Sequence, residues 1–197
     1  MVLDALAACR LEMLSAHDPR FEQCLRIRMD AYTATDAHAG RFWAARDAYD
    51  DDALHFLATR DGHAIAAARM LMDTERFEIE QDRPLTTYRE IGPCAEVSRL
   101  AVVPAARRGV VLIALFRAFY HEWVRHGIRF IFCGVTAGCA TARMYGSMGF
   151  TRIPGSHHKQ GCDADYGIMV LDLDEAVNIW RSTRPEMLDY FLQPTVG

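Results

Sequence analysis

No stretch of the 197 residues approaches the roughly 18 consecutive apolar positions that a membrane-spanning helix requires. The opening run MVLDALAACRLEML has an early aspartate and no basic region ahead of its apolar residues, so a secretory signal is not expected and a cytoplasmic protein is. Cysteine is present but unpatterned. The six residues at 9, 24, 94, 133, 139 and 162 include no C-x-x-C and no paired spacing. They read as small buried apolar side chains, with neither a zinc site nor a disulfide framework expected. Low-complexity tracts, internal repeats and linkers are also missing, which leaves one α/β domain over residues 1–197. Acidic residues are scarce in one block only: residues 101–160 hold eight Lys or Arg and the single acid Glu122.

That block carries a charge of +7, so the rest of a chain whose net charge is −4 carries −11. Such a division points to one face built for an anionic partner. Aromatic residues are not interleaved with the basic ones as stacking platforms, so nucleic acid is not the expected partner. The remaining composition, 51% hydrophobic and 24% charged, is that of a globular enzyme.

Periodicity divides the chain further. Residues 8–37 read as helix, with an apolar stripe at Phe21, Cys24, Leu25, Ile27 and Met29, Asp18 as N-cap and Pro19 at the first helical position. Residues 36–52 are a polar loop or broken helix. A hairpin follows, turning on Arg60-Asp61-Gly62. Residues 74–94 connect it to a strand ending near Val103. A helix runs from Gly109 to about His126, then a strand over 128–136 and a short helix closed by Gly149. The last strand spans 166–173 and leads into a helix from about Asp174.

The strand EVSRLAVV poses a question, because Glu96, Ser98 and Arg99 are costly groups to bury. It runs into PAARRG and a helix, and later comes A-R-M-Y-G-S-M-G-F at 142–150. Over about residues 95–153 this order resembles the GNAT-type N-acetyltransferases, whose fold is a mixed, mostly antiparallel central sheet flanked by helices. Arg28 and Tyr32, Trp43, Asp47 and Asp50, Arg69, and Glu96 with Arg99 follow in an order similar to the acyl-homoserine lactone synthases and their relatives, the N-acyl amino acid synthases.

The resemblance implies an N-acyltransferase that moves a long fatty acyl chain from acyl carrier protein to the amine of an amino acid or similar small amine. Its product would be able to partition into membrane. No cofactor is permanently held; acyl-ACP or acyl-CoA is the co-substrate. Glu96 is implied as general base and Tyr145 as proton donor to the leaving thiolate. Backbone groups of Leu100 and Val102, with Arg107, Arg108, Gly109 and Val110, would receive the donor. Arg28, Tyr32, Trp43, Asp47, Asp50, Arg69 and Arg99 would bind substrate or order the pocket's cover. The donor loop, Ala106-Arg107-Arg108-Gly109-Val110-Val111, lacks the family's second small residue. With the basic block, that favours an acidic carrier protein over free coenzyme A, with Arg117, His121 and Arg125 extending the docking patch.

Plainer readings stand beside these. Glu96 can pair with Arg99 or Arg69, Tyr145 can be a core residue, and Arg117 and Arg125 can form a solvated helix face. His157-His158-Lys159 reads as polar loop. A homoserine lactone synthase, an acetyl-CoA-dependent N-acetyltransferase and a non-catalytic ligand sensor on the same fold are the alternative functions.

Overall fold

The computed structural model describes residues 9–35, 39–72, 74–107, 110–136, 138–155 and 166–193. In chain order its elements are β1 (Cys9–Leu14), α1 (Phe21–Thr33), α2 (Ala39–Ala44), β2 (Leu54–Arg60), β3 (His63–Met72), a 3-10 turn at Glu78–Gln81, α3 (Thr86–Ile91) and β4 (Cys94–Val102). A 3-10 turn at Pro104–Ala106 then leads to α4 (Val111–Arg125), β5 (Phe130–Thr136), α5 (Ala140–Ser147), β6 (Thr151–Arg152), β7 (Tyr166–Asp172), α6 (Leu173–Thr183) and α7 (Pro185–Leu192). They fall into two compact units: Met1–Glu78 with Glu96–Ala118, and Ile79–Ala95 with Phe119–Gly197.

In the first unit the strands lie in the order β1-β2-β3-β4. β1 pairs antiparallel with β2 from Cys9 opposite Arg60 to Leu14 opposite His55. Residues 9–14 are therefore strand, not the start of the expected helix, because ladder pairing satisfies a backbone whose side chains already alternate apolar and charged. The hairpin forms as expected. β2 and β3 pair from Leu54 opposite Met70 to Arg60 opposite His63, and the turn residues Asp61 and Gly62 have φ of 52° and 76°. Positive φ at both central positions matches the right-handed twist of the flanking strands, and glycine meets that demand without strain.

α1 starts at Phe21, two residues later than a Pro19 start would place it. Asp18 is the reason. Its carboxylate accepts from the backbone N–H of Arg20 (2.8 Å) and from the Arg20 guanidinium, holding the chain in a turn. Phe21, Cys24, Ile27 and Ala31 then form the buried stripe. They pack with Leu14, Leu57, Ala67 and Ala101 into one apolar core. Full burial of a residue such as Phe21 contributes roughly 2–3 kcal/mol. Arg28 lies in the same buried face, which an apolar stripe alone does not explain.

The second unit orders its strands β5-β7-β6. β5 and β7 pair antiparallel from Phe130 opposite Asp172 to Thr136 opposite Tyr166. Tyr88 of α3 sets its ring edge-on to Phe130 (5.2 Å) and Phe132 (5.1 Å). Trp180 of α6 packs with Tyr120 and Phe191, and its indole N–H donates to the Met148 carbonyl at 3.0 Å. Gly149 follows α5 at a φ of 98°, where the sequence places the helix end. β6 and α7 have no counterpart in the sequence reading. Among the described residues, no helix is long and apolar enough to cross a membrane.

Candidate active site

β4 is extended except at Arg99, whose φ is +54°. A non-glycine residue in the left-handed region costs about 1 kcal/mol or more, so something must hold it there. The Arg99 guanidinium supplies the answer. Its Nη2 donates to Asp47 Oδ2 at 2.5 Å and to Glu78 Oε1 at 3.0 Å. Its Cζ lies 5.3 Å from the centre of the Trp43 ring, a cation–π contact.

Those bonds belong to a larger cluster. Arg28, on the buried face of α1, makes a two-pronged bond with Asp50, Nη1 to Oδ2 at 3.1 Å and Nη2 to Oδ1 at 2.9 Å, with both side chains fully buried. Arg69, on β3, donates from Nε to Ser98 Oγ (3.0 Å), from Nη1 to Asp47 Oδ1 (2.6 Å) and Asp50 Oδ1 (3.3 Å), and from Nη2 to Glu78 Oε2. Three guanidiniums thus meet three carboxylates and the cluster is neutral. Burial opposes ionisation of Asp50, but the hydrogen bonds and charge of Arg28, the Asp47 amide and Arg69 outweigh it and hold the carboxyl at about 2. Arg99 is held more basic than usual: burial works against its charge, and Glu78 and Asp47 more than restore it.

His55 closes the cluster from β2. Its Nε2 lies 2.9 Å from the Asp50 carbonyl and its Nδ1 lies 3.3 Å from Arg28 Nη2. The carbonyl needs a donor and the guanidinium needs an acceptor, so the ring is neutral with its proton on Nε2. Burial pushes its pKa down accordingly.

The remaining expected site residues are placed as follows. Glu96 is fully buried on β4. Tyr32 is half-buried at the end of α1, and its hydroxyl donates to the Leu100 carbonyl at 3.2 Å. Arg107 is exposed, yet its Nε donates to the Val102 carbonyl (3.2 Å) and its Nη2 to the Ala31 carbonyl (2.9 Å). The Val110 carbonyl accepts from Ile113 and Ala114 and begins α4. Tyr145, in the second unit, is buried with its ring 4.9 Å from Phe150. Arg108, Gly109, His157, His158, Lys159 and Cys162 lie outside the described residues.

Parts of the basic block are locally neutralised. Arg125 Nε lies 3.1 Å from Glu122 Oε2, one turn back. Arg129 pairs with Asp172 at 3.4 Å and covers Phe130. Arg117 and His121 are half-buried. No group of three or more His, Cys, Asp or Glu among the described residues is placed to hold a metal ion.

The structure sets Arg28, Asp47, Asp50 and Arg69, read from the sequence as a charge network, in one cluster together with Arg99, and adds Glu78 and His55, which sequence reasoning missed. Glu78 stands in RFEIEQDR, where nothing distinguishes it from Glu80 or Asp82. His55 had a signal: it is the one polar residue in the run ALHFLA.

The architecture is the GNAT acyltransferase fold. Among solved structures, FeeM, an N-acyl amino acid synthase from uncultured soil microbes, superposes with a TM-score of 0.68 at 18% identity, over 86% of this chain and 93% of that one. BjaI, a CoA-dependent acyl-homoserine lactone synthase, gives 0.64 at 18% identity over 93% and 87%. The acyl-homoserine lactone synthase LasI gives 0.61 at 16% over 84% and 90%. Likeness at these identities speaks to the fold. Comparison by sequence with curated proteins gives no match. The profile of the FeeM N-acyl amino acid synthases, however, matches residues 23–172. The chain belongs to that family and is an N-acyltransferase.

Proposed function

We propose that this enzyme transfers a long-chain fatty acyl group from the thioester of acyl carrier protein to the amine of an amino acid, with Glu96 as general base. The observation that carries the reading is the fully buried carboxylate of Glu96 on β4, in a chain whose family is that of N-acyl amino acid synthases. A carboxylate this deep is expensive to retain, and a base for acyl transfer is a use that repays it.

In this chemistry the acceptor amine, mostly protonated at neutral pH, gives a proton to Glu96 directly or through water. The free amine attacks the thioester carbonyl and the C–N bond forms. The C–S bond then breaks, the thiolate takes a proton from Tyr145, and the new amide nitrogen gives its extra proton back to the Tyr145 phenolate. Backbone N–H groups at Leu100 and Val102 meet the oxyanion. Arg107, Arg108, Gly109 and Val110 receive the phosphate end of the pantetheine arm. A carrier protein is acidic, and the +7 charge of residues 101–160 suits it. The family match at 23–172 includes residues of both units and supports reading 1–197 as one acyltransferase domain.

The test is a turnover assay with long-chain acyl-ACP and acyl-CoA, an amino acid acceptor, and the wild-type and Glu96→Gln enzymes. BjaI is described as CoA-dependent, which makes acyl-CoA the comparator. Wild-type enzyme should favour acyl-ACP. Glu96→Gln should lose about 10²- to 10⁴-fold in kcat, the usual worth of a general base, while still binding donor. Wild-type turnover by the variant would refute the assignment.

A further inference from the structure

A guanidinium offers five N–H donors and no acceptor, so a buried one is expected to spend most of them on partners. In the cluster, Arg69 donates from Nε and from both Nη groups, and Arg28 from both Nη groups, leaving only its Nε. Arg99 donates from Nη2 alone. Its side chain is 8% exposed, its Nε is buried without a hydrogen-bond partner, and its Nη1 makes no bond among the described residues. Of the three, Arg99 is thus the one with a terminal nitrogen in reserve. Asp47, which it bonds, is 28% exposed, so the cluster reaches solvent beside Arg99. A charged donor so placed favours an oxygen anion in the guanidinium plane.

Position on the strand says which anion. Ser98 Oγ accepts from Arg69, which also bonds Asp47 and Glu78, so Ser98 faces the cluster. Glu96, two residues back on the extended part of β4, shares that face, about 7 Å away along the strand. Alternation alone would turn Arg99 to the opposite face. Its φ of +54° instead accompanies a guanidinium that meets the same two carboxylates as Arg69. One face of one strand therefore carries both the carboxylate assigned as base and the guanidinium with donors in reserve.

We infer that Arg99 Nη1 binds the α-carboxylate of the acceptor, so that the enzyme selects amino acids over amines that lack a free carboxylate. The inference rests on the acyl-transfer reading above and deepens it. An amino acid carries its amine one carbon from its carboxylate, so a carboxylate held at Arg99 leaves the amine to turn toward Glu96 on the same face. The charge count agrees. A zwitterion adds no net charge to a cluster in which three guanidiniums already meet three carboxylates.

The experiment compares acid with amide. Wild-type enzyme and long-chain acyl-ACP are assayed against the proteinogenic amino acids, and the best acceptor is then set against its α-amide. The amide keeps the amine and the side chain, and its less basic amine is more often free at neutral pH, so chemistry alone favours it. Its kcat/KM should nevertheless be about 10- to 100-fold lower, the worth of one hydrogen bond to a charged group. In Arg99→Lys, which keeps a positive charge beside Asp47 and Glu78, the gap should close to within about threefold. A purely structural role for Arg99 would slow acid and amide alike and leave the gap intact. In isotope-labelled wild type, the Arg99 Nε–H signal should move when the acid is titrated and stay fixed with the amide or with coenzyme A. Equal kcat/KM for acid and amide in the wild type overturns the inference, as does an unchanged gap in folded Arg99→Lys. An Arg99 signal that follows coenzyme A and not the acid also overturns it, and gives the site to the donor's phosphate. If no amino acid is acylated, the transfer reading fails, and the same titration decides the carboxylate site alone: a signal that moves with the acids upholds it and a fixed one overturns it.

Discussion

Replacing Asp50 by Asn tests whether the buried cluster is held by charge balance or by shape. The two side chains are nearly isosteric, so packing is preserved. Each Asp50 oxygen, however, accepts from two donors. Oδ2 receives Arg28 Nη1 (3.1 Å) and the Asp47 N–H (3.0 Å). Oδ1 receives Arg28 Nη2 (2.9 Å) and Arg69 Nη1 (3.3 Å). Whichever way the amide is turned, its NH2 opposes two donors, and the cluster is left with one uncompensated positive charge. Breaking a buried ion pair from one side costs about 3–5 kcal/mol, equivalent to roughly 6–20 °C in Tm for a chain of this length. Urea unfolding followed by the fluorescence of the three tryptophans reads this directly. The double change Arg28→Met with Asp50→Leu removes charge in balance, leaving Arg69 bonded to Asp47, Glu78 and Ser98. It should be milder than the single change by about 2 kcal/mol or more, because no charge is stranded. Asp50→Asn within about 1 kcal/mol of wild type, or a double variant worse than the single, would refute the reasoning.

Two further outcomes follow from the geometry. Acid should weaken the fold in two stages. His55 has a lowered folded pKa, so its unfolded form gains a proton first and stability declines as pH falls below about 6.5; Asp50, at about 2 when folded, keeps its contribution of roughly 2 kcal/mol above about pH 4 and loses it as pH falls toward 2. Unfolding free energies measured from pH 8 to 3 check the sign, and His55→Gln should flatten the first stage. Gly134→Ala would set a Cβ 1.3 Å from the Tyr166 hydroxyl, so it should destabilise by about 1–3 kcal/mol, with Tyr166→Leu restoring most of the loss; equal thermal midpoints for wild type and Gly134→Ala would contradict that.

The hairpin was legible in the sequence because Asp-Gly forces a local turn, and the α4 and β5 spans because their periodicities are strong and uninterrupted. β1 was not, although CRLEML alternates by twos, because a helical stripe that begins at Phe21 was extended back over it. The charge cluster was legible as a set of residue types in order, but its closure was not. Glu78 reaches Arg69 and Arg99 from a 3-10 turn in a polar segment, and the sequence carries no period that marks which of its acids turns inward. The Tyr32 hydrogen bond was equally hidden, since a bond to a main-chain carbonyl 68 residues away depends on the tertiary fold alone.

The polar residues of β4 now have separate reasons. Ser98 accepts from Arg69, and Arg99 balances Asp47 and Glu78. Neither serves as a proton carrier. Arg28 with Asp50, and Arg69 and Arg99 with Asp47 and Glu78, balance charge for charge, so the cluster orders α1, α2 and the turn before β2 with no net charge. The strain at Arg99 fits the same logic. A left-handed residue within a strand rotates one side chain into the cluster and leaves the next residues extended, with the Leu100 and Val102 carbonyls facing Tyr32 and Arg107. One unfavourable φ, costing about 1 kcal/mol, thereby separates the strand's structural half from the half assigned to the acyl donor.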